Sequence, residues 1–472
     1  MAIEPAILYA ATVWQEAIKR NQVKKQLLAL QRKAALKITK AYRTSPTNAL
    51  LVMAGMLPIN IMAQVEAWKW LLTNTELWKM DPHEIDRKIK INIIPENYKE
   101  IPVIVKKNEI DKTDNSINLE IHPANKGNHQ TSMEYEPEDN KHYHWLAYTD
   151  GSKQETGVGA GVYIVKNKEN RTYYQASLKL DKECSNNQAE LWALLRAIKH
   201  INNNLDTYKG NIKFLIDSKT AIQTLSKNKG TTLLGNETIR EAINLEQNRK
   251  IQYSWIPAHK GFAGNEIADA LAKKATKINS KITYKRIPKT KLKKSLTDWA
   301  INKWQVEWND ATTGRMCNKF IPNILNRIKA KHYKPNSITS QCLTGHGKFE
   351  AYFCRFHIQP NNKCSCDNNS VGDAEHFMFH CSLFDHHRFP FYRECIQQGL
   401  QWPPNPKLIF ENNHIWKKFE NFVTNTRALV PDNMTTQDAS QYEDNQESDD
   451  TDTGTETEEE INEGDISGEE DW

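Results

Sequence analysis

Four acidic residues hold corresponding positions along the sequence. Asp150 follows the strand-like run HWLAYT and Asp217 follows the run NIKFLI, while Glu190 and Asp269 lie near the starts of two amphipathic helical segments. Strand ends and helix starts on one edge of an open sheet converge. Burying carboxylates at the ends of apolar strands is costly unless the carboxylates surround cations. The pattern therefore predicts one shared carboxylate site, although each acid taken alone would be interpreted as a helix cap or a surface charge.

The ligand type indicates which cations such a site would take. Four oxygen ligands, with no Cys or His among them, are typical of Mg²⁺ or Mn²⁺. Two such ions, about 4 Å apart, hold the attacking water and the leaving oxygen during in-line displacement at a phosphodiester. We therefore expect two divalent ions and phosphodiester hydrolysis at this site.

The acids are carried by alternating strand-like and helical runs in residues 142–279. HWLAYTDGS, GAGVYIV and TYYQASLKL are rich in β-branched and aromatic residues, which predicts three strands. A helix capped by Asn186 or Asn187 follows, then a strand ending at Asp217, two helices, a strand over 250–257 and a last helix. The order βββαβααβα predicts an α/β domain with a mixed five-stranded sheet and flanking helices.

The runs YTDGS, NNQAELWALL, FLIDSKTAIQTL and SWIPAHKGFAGNEIADALAKKA resemble the four signature blocks of type-1 ribonuclease H, in order and spacing. The resemblance implies a ribonuclease H-like fold and metal-dependent hydrolysis of the RNA strand of RNA–DNA hybrids. It also implies four catalytic metal ligands, Asp150, Glu190, Asp217 and Asp269. The main alternative is a nucleic-acid-binding relic that keeps the fold without useful turnover. An integrase-like or resolvase-like nuclease fits less well, because it does not account for the paired asparagines and the loop histidine.

The same resemblance implies further functional residues. His259 matches the loop histidine that assists proton transfer or product release, with an ordinary surface histidine as the alternative. Asn186 and Asn187 match positions that contact the minor groove of the hybrid, where 2′-hydroxyls distinguish RNA from DNA, although they could equally serve only as helix caps. Gly151 and Ser152 are also expected to contact the nucleic acid, since glycine lets the backbone approach a phosphate closely.

Charge is strongly segregated along the chain. Residues 438–472 contain 16 acidic residues and no Lys or Arg, which leaves 63 basic against 42 acidic residues elsewhere, a net charge of +21. A basic body predicts a polyanionic partner, with an ordinary solvated surface as the alternative. The basic handle that some cellular ribonucleases H insert after the second helix is absent from residues 226–236. Residues 1–44 and 280–335, both rich in Lys and Arg, are therefore expected to grip the hybrid.

The flanks ILYAATVW, LLALQRKAALKITKAYRTSPTNALLVMAGMLPI, KWQVEWNDATTGR and LTGHGKFEAYFCRF resemble the carboxyl-terminal third of polyproteins from arthropod non-LTR retrotransposons of the Jockey/I-like group. In those polyproteins a reverse transcriptase thumb region precedes ribonuclease H, and a cysteine–histidine segment ends the chain. No Tyr-Ala-Asp-Asp acid pair occurs here, so polymerase activity is not expected. The predicted order begins with a helical thumb- or connection-like segment at 1–95, a polar linker at 96–141 and the ribonuclease H domain at 142–279. A basic helical region at 280–430 and a disordered acidic tail at 431–472 follow.

A second candidate metal site lies in residues 364–381 and has the pattern C-x-C-x9-H-x4-C. Its members are Cys364, Cys366, His376 and Cys381. Three cysteines and one histidine form a recognised zinc set, and four protein ligands leave no open position for chemistry. The sequence therefore predicts one structural or nucleic-acid-binding Zn²⁺. The alternatives are free, partly buried cysteines, or a set in which Cys354, His380 or His386 replaces one ligand.

Neither end of the sequence indicates export or membrane insertion. The amino terminus shows no basic leader with a cleavage site, and the apolar run ALLVMAGMLPINIMA is short and interrupted by Pro58 and Asn60. Eight cysteines in 472 residues do not indicate a disulfide scaffold. We therefore expect an intracellular, reduced protein with no membrane partner, in the nucleus or the cytoplasm.

Overall fold

The computed structural model describes residues 7–430, with gaps, and the predicted acidic tail at 431–472 lies outside the described residues. The gaps are 10, 15–16, 19, 75, 77–78, 91–99, 102–108, 114–129, 134–136 and 228–230. The chain divides into two compact units. The first takes residues up to 34 together with 55–311 and 323–325, and the second takes 35–54, 312–322 and the residues from 326 onward.

The described strands are β1 Ile110–Asp111, β2 Gln130–Ser132, β3 Trp145–Gln154, β4 Gly157–Lys166, β5 Arg171–Leu180, β6 Ile212–Ile216, β7 Ile251–Trp255 and β8 Ile287–Pro288. The described α-helices are α1 Ala11–Trp14, α2 Asn21–Thr39, α3 Thr47–Ala54, α4 Ile59–Asn74, α5 Pro82–Lys90, α6 Asn186–Asn202, α7 Lys219–Leu225, α8 Leu233–Asn248, α9 Ala263–Lys277, α10 Lys289–Asn309, α11 Arg315–Phe320, α12 Ile324–Lys329, α13 Ser337–Thr344, α14 Glu350–Arg355, α15 Ala374–Phe379, α16 Asp385–Gln397, α17 Pro406–Glu411 and α18 Asn413–Asn425. Two 3₁₀ helices span Pro137–His142 and Ser382–Phe384.

The main sheet is mixed and has the strand order β2-β7-β6-β3-β4-β5. Strands β3, β4 and β5 are antiparallel, while β6 runs parallel to β3, β7 to β6 and β2 to β7. The predicted α/β class is therefore confirmed. The prediction of five strands was one short, because Gln130–Ser132, within the segment interpreted as a polar linker, pairs with the edge of β7. A three-residue polar strand shows no hydrophobic alternation from which it could be predicted.

Helices cover both faces of this sheet. One face packs against α6, α7 and α8 around residues such as Ala147, Ile164 and Phe214. The other face packs against α9, which lies unusually close to β4. A Cβ atom at Gly161 would lie 2.0 Å from the Ala268 carbonyl oxygen, so only glycine allows this approach. The close packing fixes the position of α9, the helix that carries Asp269.

The predicted boundaries of the ribonuclease H segment do not coincide with the edges of the first unit. Strands β1 and β8, one before and one after residues 142–279, form a two-stranded parallel sheet. Their Ile110 and Ile287 are buried in a hydrophobic cluster with Trp68 of α4 and Leu292 of α10. The flanking segments on either side of residues 142–279 therefore share one hydrophobic cluster.

The second unit is helical and rich in buried aromatic side chains, among them Phe320, Phe391, Phe410, Trp416 and Phe419. It also holds the cysteines and the histidine of the predicted zinc site. In the part of the chain that the structure describes, no single helix has both the length and the apolar character needed to cross a bilayer, and the bent pair α3 and α4 meets those criteria only when taken together.

Candidate active site

Three of the four predicted acids converge at one edge of the main sheet. Asp150 lies on β3, Asp217 directly follows β6, and Glu190 is the fifth residue of α6. Each offers a carboxylate oxygen, and these oxygens all lie within 4.8 Å of one another. The convergence follows from topology, because β3 and β6 are adjacent parallel strands and α6 packs across them.

Gly151 makes the approach of α6 to β3 possible. A Cβ atom at this position would lie 2.5 Å from the backbone nitrogen of Glu190. Any other residue would push α6, and with it Glu190, away from Asp150. Gly151 was predicted to contact a phosphate. The close packing of α6 on β3 is a second reason for glycine at this position, and the sequence pattern did not show it.

The carboxylate group is electrostatically strained in the absence of cations. Burial, followed by the charges of Asp217 and Asp269, raises the pKa of Asp150 to about 8. Burial, followed by the charge of Asp150, raises the pKa of Glu190 well above its ordinary value. Burial also raises the pKa of Asp217, although a hydrogen bond from Asn265 opposes the shift. Like charges held together in a poorly solvated site cannot all ionise without a compensating cation.

Two oxygen atoms of this group have no partner. Glu190 Oε2 and Asp217 Oδ1 are buried and accept no hydrogen bond from the described residues. Buried polar atoms are nearly always satisfied, so orphaned acceptors indicate a missing ion or water. Carboxylate oxygens are the ligands that Mg²⁺ and Mn²⁺ prefer, so the residues present fit the divalent ions expected from the sequence.

Asp269 lies beside the three converging acids. It lies on α9, and its Oδ2 is 2.7 Å from Lys273 Nζ. Its charge also contributes to raising the pKa of Asp150, after burial and the charge of Asp217. The structure therefore brings three acids into one tight group and places the fourth at its border, paired with a lysine.

Two neighbours of Asp269 were not recognised as site residues in the sequence. Asn265 Nδ2 donates to Asp217 Oδ2 at 3.2 Å, and Lys273 holds Asp269. Asn265 lies in the first turn of α9, which begins at Ala263 after Phe262. The signal was available, since both residues lie four positions from Asp269 and residues i and i+4 share one helical face.

His259 lies on the exposed loop between β7 and α9, with its backbone in the left-handed region at φ 53°. The residue is close enough to the acids for its charge to oppose the effect of burial on the pKa of Asp217. A non-glycine residue in this conformation is uncommon and is found more often at functional loops. The structure thus places the predicted histidine next to the carboxylate group, at its solvent side.

The predicted contacts to nucleic acid divide into exposed and buried residues. Asn186 and Asn187 are exposed in the first turn of α6, and Asn186 Nδ2 lies 3.4 Å from Glu190 Oε1. Neither asparagine is the cap, because Ser185 caps α6 and exchanges hydrogen bonds with Gln188 in a capping box. Ser152 is buried, with 8 % of its surface exposed, and so presents little surface to a ligand.

The second candidate metal site assembles in the second unit. Cys364, Cys366, His376 and Cys381 place their ligand atoms within 4.8 Å of one another. The Cys364 and Cys381 Sγ atoms are 3.6 Å apart, and Cys366 Sγ is 3.3 Å from His376 Nε2. Sulfur and imidazole ligands at this separation fit Zn²⁺. Among the described residues, the alternative ligands Cys354, His380 and His386 do not join this group.

Arg388 supports the backbone around the group of Cys364, Cys366, His376 and Cys381. Its buried guanidinium donates to the carbonyl oxygens of Phe377, Met378 and Cys381, at 3.0, 3.0 and 2.7 Å. Partners of this kind, one step out from the ligands, hold the ligands of metal sites in orientation. The backbone that carries the candidate ligands His376 and Cys381 is therefore held by a buried side chain of the same unit.

Comparison with known proteins places this geometry in a family context. The family model described as RNase H matches residues 142–277. A probable ribonuclease H of Acanthamoeba polyphaga mimivirus is 30 % identical over 150 residues, covering 28 % of this chain and 63 % of the viral protein. A ribonuclease H of Campylobacter jejuni (strain RM1221) is 29 % identical over 140 residues, covering 28 % of this chain and 90 % of the bacterial protein.

A retrotransposon protein and a solved structure are also similar. The retrovirus-related Pol polyprotein from type-1 retrotransposable element R1 4 of Nasonia vitripennis is 30 % identical over 105 residues, covering 21 % of this chain and 25 % of the polyprotein. The crystal structure of RNase H1 from Halobacterium salinarum NRC-1 is 24 % identical, with a TM-score of 0.23, over 28 % of this chain and 96 % of that chain. The chain thus spans less than two thirds of the length of the viral relative, 63 %, and a quarter of the retrotransposon polyprotein. The match of the family model, the strand order and the converging acids together identify residues 142–277 as an RNase H domain.

Proposed function

We propose that the protein is a metal-dependent endoribonuclease that hydrolyses the RNA strand of RNA–DNA hybrids. The observation that carries the proposal is the carboxylate group of Asp150, Glu190 and Asp217, with its orphaned oxygens, inside an RNase H domain. The relatives named ribonuclease H from a virus and a bacterium support the activity.

The chain's own groups have distinct tasks in this proposal. Asp150, Glu190 and Asp217 would hold the metal ions. Asp269, which is paired with Lys273 in the structure, would be the fourth ligand. Bound divalent ions would activate a water molecule and stabilise the charge that develops on the leaving oxygen. His259, at the solvent side, would take or donate a proton at the cleaved phosphate and then leave with its loop.

Recognition of the hybrid would begin at the first turn of α6. Asn186 and Asn187 are exposed there, one turn from Glu190, so they can reach the minor groove while the acids face the scissile phosphate. Only seven residues separate α7 from α8, which leaves no room for a basic handle. The basic segments 1–44 and 280–335 would supply the remaining contacts to the phosphates.

We test the substrate class with end-labelled RNA–DNA hybrid, duplex DNA and duplex RNA of one sequence, incubated with the full chain and Mg²⁺ or Mn²⁺. The hybrid alone should be cut. Binding of the hybrid without any cut, by folded protein in either metal, would favour the nucleic-acid-binding relic. Cutting of duplex DNA at a similar rate would instead favour the integrase-like or resolvase-like interpretation.

His259→Ala should slow turnover by about a hundredfold and leave hybrid binding unchanged, because the histidine moves protons and holds no metal. Multiple-turnover rates and hybrid affinity should be measured for this variant and for His142→Ala, a control that removes an exposed histidine far along the chain from the loop. An unchanged rate in His259→Ala would identify the residue as an ordinary surface histidine.

We also propose that the chain derives from a retrotransposon polyprotein of the Jockey/I-like group. The R1 polyprotein of Nasonia vitripennis supports a retrotransposon context for the RNase H domain. The flanking runs that resemble the thumb region and the cysteine–histidine segment support the narrower assignment.

We propose further that Cys364, Cys366, His376 and Cys381 bind one structural Zn²⁺. The purified chain should contain one zinc ion, and Cys364→Ser should lose most of the zinc and lower the melting temperature, since the metal stabilises only the folded state. Cys354→Ser is the matched control, because Cys354 lies nearby in sequence but outside the group. Elemental analysis and thermal melting check both variants. A wild-type chain that contains no zinc, and whose melting temperature Cys364→Ser does not change, would contradict the site.

A further inference from the structure

A buried aspartate that precedes the RNase H domain contacts two of its helices. Asp111 on β1 has only 2 % of its surface exposed. Its Oδ2 accepts a hydrogen bond from Gln188 Nε2 at 3.0 Å, and its Oδ1 accepts one from the backbone nitrogen of Leu234 at 3.1 Å. Gln188 belongs to the first turn of α6 and Leu234 to the first turn of α8. One carboxylate therefore ties together the starts of both helices.

The Gln188 side chain links Asp111 to the cap of α6. Its Oε1 accepts from the backbone nitrogen of Ser185 at 3.0 Å, while its Nε2 donates both to Asp111 and to the Arg286 carbonyl oxygen, the latter at 3.2 Å. Every polar atom of this amide is therefore engaged. Gln188 follows Asn187 directly, so the link to Asp111 enters α6 in the same turn that carries the exposed asparagines.

The segment that carries Asp111 is itself firmly held. The Glu109 carboxylate pairs with the Arg286 guanidinium at 2.9 Å, and Ile110 and Ile287 are buried side by side in the register of β1 and β8. The Lys112 carbonyl oxygen also accepts from the backbone nitrogen of Leu233. These contacts fix the aspartate next to α6, from a segment outside the predicted domain boundaries.

We propose that Asp111 is a positioning residue for hybrid recognition, acting through Gln188 to fix the first turn of α6 and its Asn186 and Asn187. This inference rests on the proposed function of the RNase H domain. We expect Glu190 to depend less on the link, because the backbone of α6 at Glu190 packs closely on Gly151 of β3. Loosening the link therefore weakens substrate binding more than it weakens the chemical step.

The test uses two variants of the full chain that break the link from opposite sides. Asp111→Asn keeps the side-chain volume but replaces one acceptor oxygen with an amide donor. That donor would face Gln188 Nε2 or the backbone nitrogen of Leu234, which are donors themselves. Gln188→Glu keeps the capping box, since glutamate serves at that position, but sets a second carboxylate against Asp111. Each should raise KM for the hybrid by about tenfold and change kcat by less than about twofold, the scale expected for one lost hydrogen bond to a charged group.

Glu169→Gln is the control, because it breaks an ion pair with Lys166 between β4 and β5 and touches neither Asp111 nor Gln188, and it should leave KM and kcat unchanged. A lower melting temperature with unchanged KM in both link variants would show a merely structural role and overturn the inference. A fall in kcat with unchanged KM would overturn it as well. Fluorescence anisotropy with labelled hybrid measures affinity without cleavage. A chain that never cuts hybrid therefore refutes the proposed function, while equal affinity of wild type and both variants refutes only the role of Asp111.

Discussion

Asp150→Asn should lower the rate of hybrid cleavage by on the order of a thousandfold or more, while the chain remains folded. The substitution removes one ligand oxygen and one negative charge from the group that would hold the ions. The pKa of Asp150 is raised to about 8 by burial and by the charges of Asp217 and Asp269, so a neutral amide fits the metal-free site at least as well as the carboxylate does. Loss of activity should therefore not be accompanied by loss of stability.

Single-turnover cleavage and thermal melting of wild type and Asp150→Asn check this prediction. Asp206→Asn is the control, because Asp206 is an exposed acid of the same domain outside the carboxylate group, and its rate should match wild type. Near wild-type cleavage by soluble, folded Asp150→Asn would remove Asp150 from the site.

Stability of the RNase H domain in magnesium-free buffer should fall as the pH rises from about 5 to about 8. Asp150 has a folded pKa of about 8 against an ordinary value of 3.8, so the folded state holds its proton more tightly than the unfolded state does. Stability from such a group is fully present below the unfolded pKa and is lost as the pH rises through the folded pKa. Burial raises the pKa values of Glu190 and Asp217 too, so they act in the same direction.

The measurement is the melting temperature of wild type and Asp150→Asn at several pH values, with and without Mg²⁺. All other titratable groups are common to both proteins, so the difference between them isolates the acid. The advantage of Asp150→Asn should grow with pH in magnesium-free buffer and shrink or reverse with Mg²⁺, because the ion stabilises only the wild-type site. A difference that does not vary with pH would show that the carboxylates do not strain one another.

The sequence allowed prediction of the features whose signal is local. Acids at strand ends and helix starts predicted one site of four carboxylates, because these ends meet at one edge of a sheet. The structure brings Asp150, Glu190 and Asp217 into one group and leaves Asp269 at its border. The cysteine and histidine spacing likewise predicted the group that includes Cys364 and Cys381, since ligands close in sequence need little tertiary information to meet. The mixed sheet was predictable for the same reason, from strand and helix periodicity alone.

Features formed by residues distant in sequence could not be predicted. Asp111 meets Gln188 across 77 positions, from a polar segment with no periodic pattern. The edge strand Gln130–Ser132, which pairs with β7, is too short and too polar to be distinguished from a linker by its sequence. The prediction that Asn186 or Asn187 caps α6 was wrong, since Ser185 and the asparagines after it are all good capping residues and only geometry decides among them.

Strand-resolved cleavage of a doubly labelled RNA–DNA hybrid tests the central claim most directly. The full chain should cut the RNA strand at internal positions when Mg²⁺ is present, leave the DNA strand intact, and cut neither strand when the divalent ion is omitted. Intact RNA after incubation of folded protein with Mg²⁺ or Mn²⁺, or RNA cleavage that persists without any divalent ion, would contradict a metal-dependent ribonuclease centred on Asp150, Glu190 and Asp217.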